Sequence, residues 1–162
     1  MEELEIYFEP IEADQFRTGD EGKTLGDLTV FHTTNNFPEP EDGKIAIVGV
    51  KESRGGIDAG ASANTPDQVR NYLYKLFSGN NTLKLIDLGN INPGETVEDT
   101  YFALQKTIEV LVKHKIVPVI IGGTQDLSYA NYKGYEMLEQ TVNVLSVDPK
   151  FDMGDVDGPL NS

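Results

Sequence analysis

Two short stretches of this sequence carry the residue types that could hold a ligand or a metal ion. The first is Gly122-Gly123-Thr124-Gln125-Asp126, in which two glycines allow a close backbone approach and polar side chains follow at the start of a helical pattern. The second contains Asp148 and Asp152, two carboxylates of the kind that hard divalent cations prefer. Together, the two stretches predict a polar or metal site.

Each of these features also has an ordinary structural explanation. Aspartate followed by proline, as at Asp148, commonly forms a turn, and Gly122-Gly123 is typical of close packing between a strand and a helix. The sequence has two histidines. His114 lies between two lysines near a predicted helix end, where it would compensate the helix dipole, and His32 is interpreted as a polar loop or strand residue.

Short apolar runs alternate with longer segments of helical period from Lys44 onward, which is typical of a parallel α/β sheet. The first predicted helix has Thr65 as its N-cap and Pro66 at its first position. The predicted strands are 44–50, 83–88, 116–121 and 142–147, and the predicted helices are 66–77, 97–115 and 127–140. Because ligands bind at the carboxyl ends of parallel strands, both polar stretches lie where a site is expected.

Composition excludes several classes of function. The chain has 162 residues and no cysteine, so a disulfide framework, a thiolate zinc site and a cysteine nucleophile are all excluded. The net charge of −14 would repel nucleic acid, which is therefore not an expected partner. Neither a dinucleotide-binding glycine pattern nor a nucleophile elbow follows any predicted strand.

The negative charge is concentrated at the front of the chain. Residues 1–42 hold twelve acidic and two basic side chains, a net of −10. This acidic segment is expected to be partly ordered, because Ile6, Phe8, Ile11 and Phe16 could dock on a core. It does not resemble a secretory signal, and the longest apolar run is far shorter than the ~20 residues of a membrane helix. The sequence therefore predicts a cytoplasmic protein with no membrane partner.

The order of these motifs resembles the ureohydrolase family, which includes arginase, agmatinase and formimidoylglutamase. The family motifs are Gly-Gly-Asp-His-Ser and Asp-Ala-His-x-Asp, which supply two His and two Asp to a pair of manganese ions. An earlier stretch also resembles the family's first strand, loop and helix, through the matching positions 47–50, Gly60-Ala61, Pro66 and Val69-Arg70. The resemblance covers about residues 44–155 and implies hydrolysis of a C–N bond in a guanidino or formimino substrate.

The sequence departs from the family at both histidine ligands. Gln125 and Lys150 occupy these two positions, Asp126 occupies the position of the motif's serine, and Asp148 and Asp152 match family ligands. A third family motif, Ser-x-Asp-x-Asp, has no counterpart here, so two of the family's six ligands remain. Because an ammonium group repels metal ions, Lys150 predicts a carboxylate–lysine cluster in place of a manganese site, with no cofactor and no catalytic residue.

Two functional hypotheses follow from this resemblance. In the first, the chain is a catalytically inactive formimidoylglutamase-like fragment or homologue with a structural, binding or regulatory role. In the second, its parent is a metal-dependent C–N hydrolase in which Asp126, Asp148 and Asp152 join carboxylates from a missing carboxyl-terminal half around one cation.

The resemblance also implies a fold and a division of the chain. The fold is a three-layer α/β domain like the amino-terminal half of the arginase fold, whose eight strands have the order 2-1-3-8-7-4-5-6. The predicted divisions are an acidic segment at 1–43, an arginase-like half domain at 44–155 and a tail at 156–162 that is a predicted truncation point. The third and fourth strands would not be neighbours. Their exposed edges therefore predict either a truncated piece of a longer protein or a rearranged domain that forms a homo-oligomer through these edges.

Overall fold

A five-stranded sheet with helices on its faces forms the centre of the protein. The structure, a computed structural model, describes residues 1–17, 19, 23–56, 64–79, 83–139 and 141–148. The strands are β1 (Phe8–Glu9), β2 (Thr29–Phe31), β3 (Ile45–Val50), β4 (Leu85–Ile91) and β5 (Val117–Ile121). The α-helices are α1 (Leu25–Leu28), α2 (Thr65–Leu73), α3 (Val97–Lys113) and α4 (Leu127–Glu136). Two 3₁₀-helices, Glu2–Tyr7 and Ala13–Phe16, lie in the amino-terminal segment.

The sheet has the order β1-β4-β3-β5, and β2 also pairs with β4. Strands β2, β3, β4 and β5 are parallel, while β1 is antiparallel to β4. This confirms the predicted α/β class. The order β4-β3-β5 also agrees with the arrangement 2-1-3 that the family resemblance implies for the first three strands. Because the strands are parallel, the carboxyl ends of β3, β4 and β5 lie at one edge of the sheet.

Helix boundaries differ from the predictions by a few residues. Helix α2 begins at Thr65 with Asn64 as its N-cap, so the prediction of Thr65 as the cap was wrong by one position. It ends at Leu73 instead of residue 77. Helix α3 begins where it was predicted, because Thr96 caps it in a capping box in which the Thr96 amide donates to the Asp99 carboxylate at 2.7 Å.

Strand β4 is longer than predicted and runs through Gly89. Gly89 has a positive φ of 90°, and a Cβ atom at this position would lie 2.1 Å from the carbonyl oxygen of Glu9. Only glycine permits this approach, which lets β1 pair with the end of β4 at Ile91. The amino-terminal segment therefore forms part of the sheet.

The fourth strand, predicted at 142–147, is not formed. Residues 141–148 have no regular secondary structure, and the exposed fractions of Val144, Leu145 and Val147 are 74%, 90% and 94%. A strand needs a neighbour for its N–H and C=O groups. None of the described residues pairs with this segment. This agrees with the implied sheet order, which places two other strands between the third and the fourth.

The main core lies between the sheet and α3, where Val48, Ile86 and Leu88 pack with Leu104 and Ile108. A second cluster contains Ala13, Phe16, Phe31 and Tyr74, whose three rings have centroids 5.0 to 5.9 Å apart. The described part of the acidic segment thus packs onto the core through Ala13 and Phe16.

One residue that was expected to dock on the core points away from it. Phe8 and Phe16 are buried as expected, but Ile6 is 81% exposed, and Leu4 takes its place in the core. Phe102 in α3 is 58% exposed, because the buried face of this helix is formed by Ala103, Leu104, Ile108 and Leu111. In the part of the chain that the structure describes, no helix has the length and apolar character that crossing a bilayer requires.

Candidate functional site

The loop after β5 places the first polar stretch at the carboxyl edge of the sheet. Gly122 and Gly123 both have positive φ angles, of 84° and 76°. A Cβ atom on Gly122 would lie 2.7 Å from the ring of Pro66, and one on Gly123 would lie 1.9 Å from Leu127. The glycine pair therefore allows this loop to pack against α2 and α4, which is the structural explanation considered for it above.

Gln125 and Asp148 lie together at this edge. The side-chain amide of Gln125 donates a hydrogen bond to the carboxylate of Asp148, and both side chains are exposed. The structure thus brings together one residue from each predicted stretch. Lys150 and Asp152 lie outside the described residues, so the predicted carboxylate–lysine cluster stays a prediction.

Asp126 does not join Gln125 and Asp148. Its carboxylate is 5% exposed and accepts a hydrogen bond from the hydroxyl of Tyr101 in α3. A Cβ atom on Gly55 would lie 2.3 Å from the nearer oxygen of this carboxylate, so the glycine-rich loop after β3 closes directly over it. Burial, and then the hydrogen bond to Asp126, raise the pKa of Tyr101.

Three buried polar atoms near the start of α4 have no hydrogen-bond partner among the described residues. They are Thr124 Oγ1, Asp126 Oδ1 and Asn131 Oδ1. Thr124 and Asn131 line a cleft of about 400 Å³ together with Gln125 and Ser128. Unpaired buried polar atoms are rare in folded proteins. We call residues 122–131 together with Asp148 the strand-end region. These three atoms show that some of its buried polar groups lack partners among the described residues.

The described residues of this region do not fit a pair of manganese ions. Within the described ranges, no group of three or more His, Asp or Glu side chains could hold a metal ion. The Gln125 amide nitrogen has no lone pair for a metal and already donates to Asp148. Asp126 is committed to Tyr101 below the loop. Among the described residues of this edge, Asp148 is thus the one that matches a family ligand, and its carboxylate already accepts a hydrogen bond from Gln125.

The sequence analysis did not identify a second polar network, which fills the ends of β3 and β4. Glu52 is fully buried and accepts hydrogen bonds from the Arg54 amide at 2.9 Å, from Arg54 Nε at 3.0 Å and from the Thr100 hydroxyl at 2.9 Å. Arg54 also donates to the carbonyl oxygens of Gly94 and Glu95, both at 3.0 Å. This network ties the loop after β3 to the start of α3.

Burial and hydrogen bonding act in opposite directions on Glu52. Burial by itself raises the pKa of a carboxyl group, but the hydrogen bonds from Arg54 and Thr100 outweigh it and lower the pKa of Glu52 to about 2. Glu52 is thus an ionised, fully paired carboxylate with a structural role. The signal for it was the charged run Lys51-Glu52-Ser53-Arg54 directly after a buried strand.

A third buried polar network connects α2 to β4. Arg70 and Asp87 are both fully buried, and Arg70 donates to the two Asp87 oxygens at 2.8 and 2.9 Å. Tyr74 and the Gly89 amide also donate to Asp87, and Asn90 accepts from Arg70. Burial, followed by the charge of Asp87, raises the pKa of Tyr74. A charged residue inside an apolar strand was the signal for this pair.

The two histidines lie away from the strand-end region. His114 forms the C-cap of α3, as the dipole interpretation implies. His32 follows β2 and is 2% exposed, and its Nδ1 lies 2.9 Å from the carbonyl oxygen of Leu88. Neither contributes a ligand beside Gln125 or Asp148.

The chain matches one known protein family over most of its length. A family model described as "Arginase family" matches residues 43–161. Formimidoylglutamase from Streptococcus gordonii is 28% identical over 127 residues, which are 73% of this chain and 38% of that protein. Formimidoylglutamase from Macrococcus caseolyticus is 34% identical over 76 residues, or 45% of this chain and 24% of that protein. The chain thus spans less than half the length of these relatives.

Solved structures show the same relationship. Trypanosoma cruzi formiminoglutamase, solved with Mn²⁺, superposes with a TM-score of 0.58 and 26% identity over 71% of this chain and 40% of that one. Formimidoylglutamase from Bacillus subtilis superposes with a TM-score of 0.62 over 75% of this chain and 40% of that one. Its identity of 20% supports a shared fold alone.

Proposed function

This chain belongs to the arginase family, and we propose that it is a formimidoylglutamase-like α/β unit with a structural or binding role, in which the strand-end region does not assemble a manganese pair. The observation that carries this proposal is the hydrogen bond from Gln125 to Asp148. An amide stands where the family resemblance expects an imidazole ligand, and its N–H groups face the neighbouring carboxylate.

The donor set explains why this difference matters. Two adjacent dications repel each other, and carboxylates that bridge both ions are needed to offset this repulsion. The N–H of Gln125 instead satisfies Asp148 without a metal ion. At the second histidine position the sequence has Lys150, whose ammonium group repels cations. Gln125 and Lys150 therefore both disfavour binding of a manganese pair.

The buried networks of the chain support a structural role. Glu52 with Arg54, and Arg70 with Asp87, bind the loops and strands to one another and leave no buried charge unpaired in either network. These groups therefore position the strand ends, and none of them is available as a free acid or base.

A second candidate function is a metal-dependent hydrolase formed by the parent protein. It is favoured by the relatives themselves, which are named formimidoylglutamases, one of them solved with Mn²⁺. The chain covers 38 to 43% of several of them. In this candidate, Asp126, Asp148 and Asp152 would join ligands from beyond the chain around one cation and cleave a C–N bond of a formimino or guanidino substrate.

Metal analysis separates the two candidates. The 162-residue chain and its full-length parent are dialysed against MnCl₂, then against metal-free buffer, and bound manganese is measured by elemental analysis. We expect less than about one tenth of an equivalent in both, because the Lys150 ammonium group repels cations and the Gln125 amide donates to Asp148 in place of a metal. About one equivalent or more in the parent would support the hydrolase instead.

A matched variant tests the role of the two replaced positions. Gln125→His combined with Lys150→His restores imidazoles at both, and bound manganese in the variant parent is expected to exceed that of the unmodified parent. Gln68→His, on the exposed face of α2, serves as the control. Hydrolysis of formiminoglutamate, agmatine or arginine by the unmodified parent would overturn the structural role.

A further inference from the structure

A groove of about 560 Å³ lies between the amino-terminal 3₁₀-helix, β1 and the start of α3. We propose that this groove docks a segment of a partner protein that carries an apolar anchor flanked by lysine or arginine residues. The proposal concerns the edge of the sheet opposite to β5, so it is independent of the strand-end region. It rests on the apolar lining of the groove and on the charge around it.

The walls of the groove are apolar and partly uncovered. Ile6 is 81% exposed and Phe102 is 58% exposed, while Phe8 and Ile91 form a buried floor. The rings of Tyr7 and Phe102 meet edge to face with centroids 6.5 Å apart, so Phe102 is held in place beside the groove. The groove is thus already formed, and an entering side chain would bury these surfaces at little cost in reorganisation.

Acidic side chains surround this apolar surface. Glu9 and Asp99 line the groove directly, and no lysine or arginine is among its lining residues. Five further exposed acids lie next to lining residues or in the same 3₁₀-helix, namely Glu2, Glu3, Glu5, Glu95 and Glu98. Two bases lie beside the groove and both are already paired: Lys51 with Glu9 at 2.9 Å, and Arg54, which donates to the Gly94 carbonyl, with Glu52 at 2.6 Å. A partner with flanking cations would complement this field and be steered toward the groove.

Charge also disfavours the other occupants of an apolar groove. A second copy of the chain carries the same net charge of −14 and the same acidic rim, so two copies repel each other here. An anionic lipid surface would be repelled for the same reason. Strands beyond β5 in the implied family order would extend the sheet away from β1, because β1 lies at the other end of the order β1-β4-β3-β5.

Fluorescence polarisation with a defined probe tests this docking site. The probe is a fluorescein-labelled peptide with a central Leu-Phe pair and three lysines on each side, titrated with the 162-residue chain at low salt. Saturable binding is expected, with an affinity that falls as salt rises because the charges are exposed. A peptide with Ser-Ser at the centre and one with glutamates in place of the lysines should each bind about tenfold more weakly.

Variants of the chain assign the binding to this groove. Ile6→Ala combined with Phe102→Ala should weaken probe binding about tenfold, whereas Tyr72→Ala with Phe77→Ala, which removes two exposed aromatics elsewhere, should change it less than about twofold. Amide chemical-shift changes in the unmodified chain give a readout that does not depend on folding of the variants, and they should concentrate at 6–9 and 99–103. Absence of saturable binding, equal binding of the Ser-Ser peptide, or shifts centred elsewhere would overturn the proposal.

Discussion

Strands β4 and β5 flank β3 on its two sides, but other strands cover the outer edge of β4 and leave the outer edge of β5 open among the described residues. The outer edge of β4 is covered by β2 along its first half and by β1 at its end. The buried carboxylate of Asp87 in β4 is paired with the buried guanidinium of Arg70 in α2. Strand β5 pairs only with β3 among the described residues, and two of its valines, Val117 and Val119, are 58% and 39% exposed.

The same contrast holds for polar groups. The β4 side satisfies a buried guanidinium and two buried carboxylates, whereas the β5 side has three buried polar atoms without a partner in the described part of the chain. The hydrogen bond from Gln125 to Asp148 on this side is exposed. Among the described residues, the buried polar groups are thus paired on the β4 side of the sheet and partly unpaired on the β5 side. Each edge then makes its own contribution to stability.

Pairing of β5 with another copy of the chain stays a prediction, and the backbone limits it. The Val117 amide donates to Lys44 at 2.9 Å, so residues 118 and 120 direct their backbone groups outward. Residue 118 is a proline and has no N–H. The open edge therefore presents the Ile120 amide as its one outward donor within β5. Proline at such a position is a known protection of edge strands.

The largest expected effect lies on the β4 side, at Asp87. The variant Asp87→Ala leaves the guanidinium of Arg70 buried without its main partner, which typically costs about 3–5 kcal/mol. The measurement is the free energy of unfolding from urea denaturation. Asp67→Ala removes a 46% exposed partner of the same guanidinium and should cost less than about 1 kcal/mol.

The milder variant Asp87→Asn keeps the fold measurable if Asp87→Ala does not refold, and it should still cost more than the Asp67 variant. A loss below about 1 kcal/mol for Asp87→Ala would contradict this prediction. The buried pair would then contribute no more to the stability of the β4 side than an exposed ion pair does.

A pH-dependent effect of intermediate size is expected at Glu52. Its pKa in the folded protein, about 2, lies below the ordinary value of 4.5. A depressed pKa stabilises the folded state fully above pH 4.5, and this contribution is lost as the pH falls toward 2. At neutral pH, Glu52→Gln should therefore be less stable than the unmodified chain by about 2 kcal/mol.

Urea denaturation at several pH values between 7 and 2 measures this gap. The difference between the unmodified chain and Glu52→Gln should shrink as the pH falls, while the exposed control Glu41→Gln should stay close to the unmodified chain throughout. A gap that is the same at pH 7 and pH 3 would mean that Glu52 is not held in its ionised form by Arg54 and Thr100.

Sequence patterns predicted the central strands β3, β4 and β5, but neither the strands β1 and β2 that cover β4 nor the absence of a strand at 142–147. The buried strand at 45–50 and the helix that starts after Thr96 were found because apolar runs and capping residues are local signals. The segment 142–147 carries the same apolar signal, but pairing depends on neighbours that are distant in sequence. The failure of that strand prediction therefore reflects missing partners and not a weak local pattern.

The candidate site shows the same limit at the level of side chains. Gln125 does lie beside Asp148, although the strand that was expected to carry Asp148 to this edge is not formed. Asp126 was expected beside them but turns toward Tyr101 under Gly55. Likewise, nothing in the sequence alone pairs Arg70 with Asp87 across 17 residues. Such pairings are decided by three-dimensional packing, which periodicity does not encode.

The smallest expected effect lies on the β5 side, at Gln125. Gln125→Ala removes an exposed hydrogen bond to Asp148 and should lower the free energy of unfolding by less than about 0.5 kcal/mol, because water replaces the lost donor. Gln68→Ala, an exposed glutamine on α2, is the matched control in the same urea experiment. A cost above about 2 kcal/mol would place Gln125 in the same class as the buried pairs. The strand-end region would then be an integral part of the fold, and the two edges of the sheet would no longer differ in kind.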